Sequence, residues 1–178
     1  MSSSISKIYK PGIILVFLYV FSLQVTAQSF SSAPSLRQLT RSSGYIFAGK
    51  VSAIERVAAR ATPDVATVKI TFQVEQGIRG VHRGQTLVIR EWGGLWEQGE
   101  RYRTGERVLL FLYRPSKLGL TSPVAGVLGR FAVDKAGQIN LQDRIASLDS
   151  DPIAVRLRRK SRVTSGDFAR AIRRMVEE

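Results

Sequence analysis

Val108–Tyr113 (VLLFLY) is the stretch that decides the fold. Its apolar residues follow one another without polar alternation, Gly105 precedes them, and Pro115 follows them. A run of this length between turn residues is typical of a strand that is buried on both faces. Burial of each large side chain stabilises a fold by roughly 1.5–3 kcal/mol. We therefore expect this strand to lie at the centre of the core.

Alternating patterns on both sides of this run predict further strands. In Val65–Gln76 apolar and polar side chains alternate, which is typical of a strand with one face in the core and one in water. Tyr45–Val57 predicts a long first strand with a bulge or bend near Gly49 or Ala53. The remaining predicted strands are Gln85–Glu91, Arg130–Val133 and Gln138–Leu141, the last two joined by a hairpin turn at Asp134–Gly137.

These short strands and few helices predict a mainly β fold. The expected architecture is a small antiparallel β-barrel, closed or nearly closed, with a C-terminal helix. The barrel domain is assigned to residues 44–141. A lead-in at residues 28–43 precedes it and contains a short helix at Ser35–Arg41, where Leu36 and Leu39 share a face.

The first 27 residues have the pattern of a secretory signal peptide. Lys7 and Lys10 precede the apolar run Ile13–Phe21, and Val25-Thr26-Ala27 supplies small residues for cleavage. We expect cleavage after Ala27 and a secreted or periplasmic protein. The apolar run is shorter than the roughly 18 residues that a spanning helix needs. An uncleaved membrane anchor is therefore the second choice.

The C-terminal part predicts a basic linker and then an amphipathic helix. The linker is assigned to residues 142–163 and carries Arg156, Arg158, Arg159, Lys160 and Arg162. In the helix, assigned to residues 164–178 with Ser165 as its cap, Phe168, Ile172 and Met175 share one stripe. Two placements remain open: the stripe docks on the barrel, or the basic helix contacts a membrane surface or a partner.

Composition narrows the classes of site that the chain can carry. It has 27 Lys and Arg against 14 Asp and Glu, a formal charge of +13, and no Cys. Without Cys, disulfides, thiolate metal sites and thiol nucleophiles are excluded. The positive surplus favours anionic partners, or it serves solubility through repulsion between molecules.

Four segments resemble the netrin-like module, the OB-type barrel also found in tissue inhibitors of metalloproteinases. They are GYIFAGKVSAIERV (44–57), VKITFQVEQGIRG (68–80), QTLVIREW (85–92) and YRTGERVLLFLY (102–113). The resemblance implies an OB-like barrel over residues 44–114, as in some bacterial secreted proteins. The inhibitors chelate their target's zinc through an N-terminal Cys, and this chain has none. The resemblance therefore carries over the fold and no functional residue.

The candidate binding residues surround a Gly-rich loop. Trp92 and Trp96 lie there, where strand periodicity does not force an aromatic side chain inward, and exposed Trp beside Arg is typical of interfaces. The alternative is that both indoles fold back over an open end of the barrel. The candidate set consists of Trp92, Trp96, Arg90, Arg101, Arg103 and Lys117.

No residue pattern predicts a catalytic centre, a metal site or a cofactor. His82 is the single His, and a metal site needs several convergent ligands. The carboxylates Glu91, Glu97, Glu100 and Glu106 alternate with Arg residues, which favours ion pairs over the paired acids of a glycosidase.

Three functional hypotheses follow. The first is an exported, non-enzymatic module that binds an unidentified protein. The second is a binder of an anionic polymer, either acidic polysaccharide or nucleic acid, through a basic surface that contains Trp. The third, which the residue inventory favours least, is a hydrolase that uses His82 and scattered acids.

Overall fold

The computed structural model describes residues 34–59, 65–97, 101–141 and 162–177. The predicted signal peptide (1–27) lies outside the described residues, and so does residue range 142–161 of the predicted linker. The structure places Arg162 and Val163, assigned above to that linker, in a short strand.

Seven antiparallel strands form one sheet, in the order β3-β2-β1-β4-β5-β6-β7. The mainly β class with a C-terminal helix is confirmed. Among the described residues, the end strands β3 and β7 do not pair with each other, so the sheet is open between them. The strands are β1 (Tyr45–Val57), β2 (Thr67–Arg79), β3 (Thr86–Trp92), β4 (Arg107–Leu112), β5 (Arg130–Val133), β6 (Gln138–Asn140) and β7 (Arg162–Thr164).

The first strand is bent, as the sequence predicts. The register of β1 against β2 shifts between Ala48 and Gly49 and again between Val51 and Ala53. At Gly49 the neighbouring strand comes so close that a Cβ would lie 2.6 Å from the Gln73 carbonyl oxygen. The bend lets one half of β1 pair with both β2 and β4, while the other half pairs with β2 alone.

The apolar run in β4 is explained by two separate hydrophobic cores. Val108, Leu110 and Leu112 point into a first core, and Leu109 and Phe111 point into a second. All five side chains are fully buried. The first core also contains Phe47, Phe72, Trp96 and Tyr102, and the second contains Leu36, Leu39, Phe131, Ile139, Phe168 and Ile172.

Tyr113 corrects the prediction for the end of this run. It follows β4 and is 43% exposed, so the prediction that it is buried was wrong. Its backbone leaves the ladder for the following loop, where its N–H donates to Ser122 and its carbonyl accepts from the Thr121 hydroxyl. The phenol can meet water because a Tyr has a polar end.

Two helices cover the second core. Ser35 caps α1 (Leu36–Ser42): its hydroxyl accepts from the Gln38 N–H at 3.2 Å, and the Gln38 side chain accepts from the Ser35 N–H at 2.8 Å. This reciprocal capping box fixes where the helix begins. Thr164, rather than the predicted Ser165, caps α2 (Ser165–Glu177), because its hydroxyl accepts from the Asp167 N–H at 3.1 Å.

The apolar stripe of α2 lies against the sheet. Phe168, Ile172 and Met175 are buried, and the Phe168 ring lies 5.3 Å from the Phe131 ring. Of the two placements left open by the sequence, the structure shows docking. Within the described residues, the helices are too short or too polar to cross a bilayer.

Candidate interaction surface

The candidate surface starts from the alternation in β3. Thr86, Val88, Arg90 and Trp92 are exposed, whereas Leu87, Ile89 and Glu91 between them are buried. Successive side chains of a strand point to opposite faces, so the exposed set lies on one face of the sheet. Trp92 is 51% exposed and Val88 is 48% exposed.

The register extends this row across three strands. Arg90 pairs with Lys69 of β2, which pairs with Glu55 of β1. Directly opposed residues of antiparallel strands share a face. We call this set the open face; its members are Ala53, Glu55, Val57, Lys69, Thr71, Gln73, Val88, Arg90 and Trp92.

Of the two cations on the open face, one forms an ion pair and the other contacts a hydroxyl group. Lys69 Nζ lies 2.9 Å from Glu55 Oε2, so these two side chains form an ion pair. The Arg90 guanidinium instead contacts the Thr67 hydroxyl at 3.5 Å. Among the described residues no carboxylate pairs with Arg90, which leaves its charge beside the Trp92 indole at the end of the strand.

The two tryptophans have different environments. Trp92 lies over Gly94, where a Cβ would come within 2.5 Å of the indole. Trp96 lies at the end of the 3-10 turn Gly93–Trp96 and is only 3% exposed. The inward alternative therefore describes Trp96, and the surface alternative describes Trp92.

A buried carboxylate holds the segment that follows Trp92. Glu91 is fully buried and accepts hydrogen bonds from the Trp96 indole N–H at 3.0 Å and from the Tyr102 hydroxyl at 3.3 Å. Arg101 Nε lies 3.1 Å from Glu91 Oε2 in an ion pair. The Arg130 guanidinium lies 4.8 Å from the centre of the Tyr102 ring. We call Glu91, Trp96, Arg101 and Tyr102 the Glu91 cluster.

Burial sets the protonation preferences in the Glu91 cluster. It raises the pKa of Glu91 above the ordinary value of 4.5, and the Arg101 cation and the hydrogen bonds from Trp96 and Tyr102 oppose the increase. Burial together with the Glu91 charge raises the pKa of Tyr102 as well. The phenol therefore stays protonated and able to donate to the carboxylate.

The structure divides the six predicted binding residues into three groups. Trp92 and Arg90 share the open face, and exposed Lys117 lies in the loop 113–122, whose Thr121 N–H donates to the Arg90 carbonyl at 2.8 Å. Trp96 and Arg101 turn inward to Glu91. Arg103 is exposed in a different turn, where its N–H donates to Glu106 Oε2 at 3.0 Å.

Val88 was not identified from the sequence, and Glu91 was interpreted only as one of several acids in ion pairs, although a signal existed for both roles. In TLVIREW, Val88 has the same parity as Arg90 and Trp92, so it belongs to the exposed row. Glu91 has the parity of Leu87 and Ile89, which points to a buried carboxylate in need of partners.

The remaining candidate groups are arranged as follows. His82 is exposed in the connector between β2 and β3, and its backbone N–H donates to Gln85 Oε1 at 3.0 Å. Glu106 pairs with Arg130, whereas Glu100 lies outside the described residues. Within the described ranges, three or more His, Cys, Asp or Glu do not converge on a metal-sized space.

No protein-family model matches the chain, and no curated protein matches it either.

Proposed function

We propose that the protein is an exported, non-enzymatic module that binds another protein through the open face. The observation that carries this proposal is the half-exposed Trp92 indole at the end of β3, in one row with Val88 and Arg90. Trp and Arg are the residue types most enriched among the dominant contributors to protein interfaces. When a partner covers this exposed indole, its apolar surface is removed from water, which favours binding.

The neighbourhood of Trp92 supports a preformed site. Trp92 follows directly after Glu91, whose buried carboxylate fixes Trp96 and Tyr102 in the interior. The indole also rests on Gly94. A side chain held in place before binding loses less conformational entropy when a partner arrives.

Export is supported by the leader pattern of residues 1–27.

The non-enzymatic character is supported by the ion pairs that two of the candidate acids form. Glu91 is paired with Arg101, and Glu106 is paired with Arg130. The OB-like resemblance adds support for the location of the surface, because proteins of that fold bind ligands on the face of strands β2 and β3.

An anionic polymer is the second candidate partner. Arg90 beside Trp92 combines a cation with a stacking surface, as in proteins that bind single strands or acidic chains. The formal charge of +13 favours the same class. Binding of this kind weakens steeply as the salt concentration rises.

The test compares Trp92→Ala with Val127→Ala, which removes an exposed apolar side chain outside the open face. Each variant and the wild type are used to capture partners from the exported fraction, and the affinity of each captured protein is then measured. We expect Trp92→Ala to weaken binding by at least about tenfold, the range of a dominant interface residue, and Val127→Ala to change little. Equal binding by all three proteins would overturn the proposal.

Heparin and a single-stranded oligonucleotide are the probes for the second candidate. Affinity that falls by orders of magnitude between low and physiological salt, and that also falls in Arg90→Ala, supports polymer binding. Binding that is insensitive to the salt concentration favours a protein as the partner.

A further inference from the structure

One edge of the sheet lies along β3. The Gly93 N–H donates to Ala66 and the Gln85 carbonyl accepts from Val74, so backbone groups at odd positions of this segment point towards β2. The Arg90 carbonyl accepts instead from Thr121, on the other side. The N–H and C=O groups of Thr86 and Val88, which have the parity of Arg90, therefore point away from the sheet.

Most of this edge has no backbone partner within residues 34–59, 65–97, 101–141 and 162–177. Among the described residues, the single backbone hydrogen bond to it is the one from Thr121 to the Arg90 carbonyl. In the part of the chain that the structure describes, no backbone group pairs with the N–H and C=O of Thr86, the N–H and C=O of Val88 or the N–H of Arg90. Edge strands with open backbone groups are templates for an additional strand.

We propose that an extended acidic segment of a partner protein adds to the Thr86–Arg90 edge as a further β-strand. This inference rests on the proposed function, since it names the partner class and the binding mode for the same surface. Strand addition obtains its affinity from main-chain hydrogen bonds and its specificity from alternate side chains. The bond from Thr121 to Arg90 sets the limit of the added strand at that end.

Charge and exposure define the occupant. Arg90 and Lys117 are exposed along or beside the edge, whereas Glu91, the acid within β3, is buried. Side chains of an added strand on the open face would lie next to Val88 and near Trp92. The matching segment therefore carries carboxylates near the cations and an apolar side chain beside Val88.

Self-association and polymer binding fit this edge less well. A second copy pairing through its own β3 would bring a second set of the same cations to the edge, and like charges across an interface oppose association. A polysaccharide or a nucleic acid lacks the regularly spaced amide groups that the open backbone positions can pair with. An extended polypeptide supplies them.

The probe is a synthetic peptide in which glutamate and valine alternate, compared with the same peptide N-methylated at every residue. N-methylation removes the donors on both edges of the peptide and leaves its charge unchanged. We expect the unmodified peptide to bind the full chain and the methylated peptide to bind at least about tenfold more weakly, since several hydrogen bonds are lost. Amide exchange at Thr86, Val88 and Arg90 should slow only with the unmodified peptide.

Val88→Pro and Val88→Ala form the matched pair of variants. Proline removes an outward N–H that is not part of the ladder to β2, and an edge strand tolerates this. Alanine keeps the N–H and shortens the side chain. We expect Val88→Pro to weaken peptide binding by about tenfold and Val88→Ala by about twofold. The methylated peptide tests the wild-type chain and so remains decisive if the proline variant does not fold.

Three outcomes overturn the proposal: equal binding of the two peptides, no protection at Thr86 and Val88, or protection that arises from dimerisation without peptide. If Trp92→Ala loses partner binding and Val88→Pro does not, the proposal of strand addition at the edge is wrong, while the proposed binding through the open face still holds. Normal partner binding by Trp92→Ala overturns the proposed function itself, whatever the edge variants show.

Discussion

The Trp96 indole N–H donates a 3.0 Å hydrogen bond to Glu91 Oε2, and both side chains lie in the interior. The two residues bracket the 3-10 turn that follows β3. This bond, together with the hydrogen bond from Tyr102 and the ion pair with Arg101, fixes the loop that follows the exposed Trp92. A buried polar cluster therefore supports the side chain on which the proposed surface depends.

Removing the Glu91 carboxylate should destabilise the protein strongly. Glu91→Ala leaves Trp96 and Tyr102 without their acceptor and Arg101 without its counter-ion. We expect the free energy of unfolding to fall by about 3–5 kcal/mol, the usual cost of breaking a buried pair. Glu91→Gln should cost less, because its amide oxygen can still accept the indole N–H. Urea unfolding measures both, with the exposed Glu97→Gln as a control expected within about 0.5 kcal/mol of wild type.

The same carboxylate predicts a pH dependence of stability. Burial raises the pKa of Glu91 above 4.5 in the folded chain, so the folded chain keeps this proton at pH values where the unfolded chain has released it. The part of the stability that comes from this raised pKa is therefore fully present below pH 4.5 and is lost as the pH rises through the folded pKa. The free energy of unfolding of wild type minus that of Glu91→Gln should decrease with rising pH. A difference that increases would show that the Arg101 ion pair outweighs burial.

Much of the sheet could be predicted from the sequence because periodicity reports burial directly. The alternation in β2 and β3 and the unbroken apolar run in β4 identify strands and their buried faces. The run does not reveal what covers the second face. That cover comes from α1 and α2, and their contacts with β4 and β5 join residues far apart in the chain.

The surface was only partly predictable for a similar reason. Trp92 and Trp96 look alike in a Gly-rich segment, and the turn between them decides which one is buried. Arg101 also looks like a surface cation, but it pairs across the loop with Glu91. The local sequence pattern shows which face of a strand a residue occupies. The path of a loop depends on contacts with distant residues, and the pattern does not identify them.

The two tryptophans should respond differently to truncation and to quenchers. Trp96→Ala removes a buried indole and should cost about 3–5 kcal/mol in the free energy of unfolding. Trp92→Ala removes a half-exposed one and should cost much less. Acrylamide should quench the fluorescence of Trp96→Phe strongly, that of Trp92→Phe weakly and that of the wild type to an intermediate extent. Equal quenching of the two Phe variants would contradict the assigned burial.

The docking of α2 predicts that its apolar stripe contributes to the stability of the whole domain. Phe168 is fully buried and its ring lies 5.3 Å from the Phe131 ring. Phe168→Ala should therefore lower the free energy of unfolding by about 3–5 kcal/mol. Arg170→Ala, on the exposed side of the same helix, removes only a surface ion pair with Asp167 and should change stability by less than about 1 kcal/mol. Chemical unfolding measures both, and hydrogen exchange should show faster opening of α2 amides in Phe168→Ala alone. If the two variants behave alike, the helix does not seal the second core.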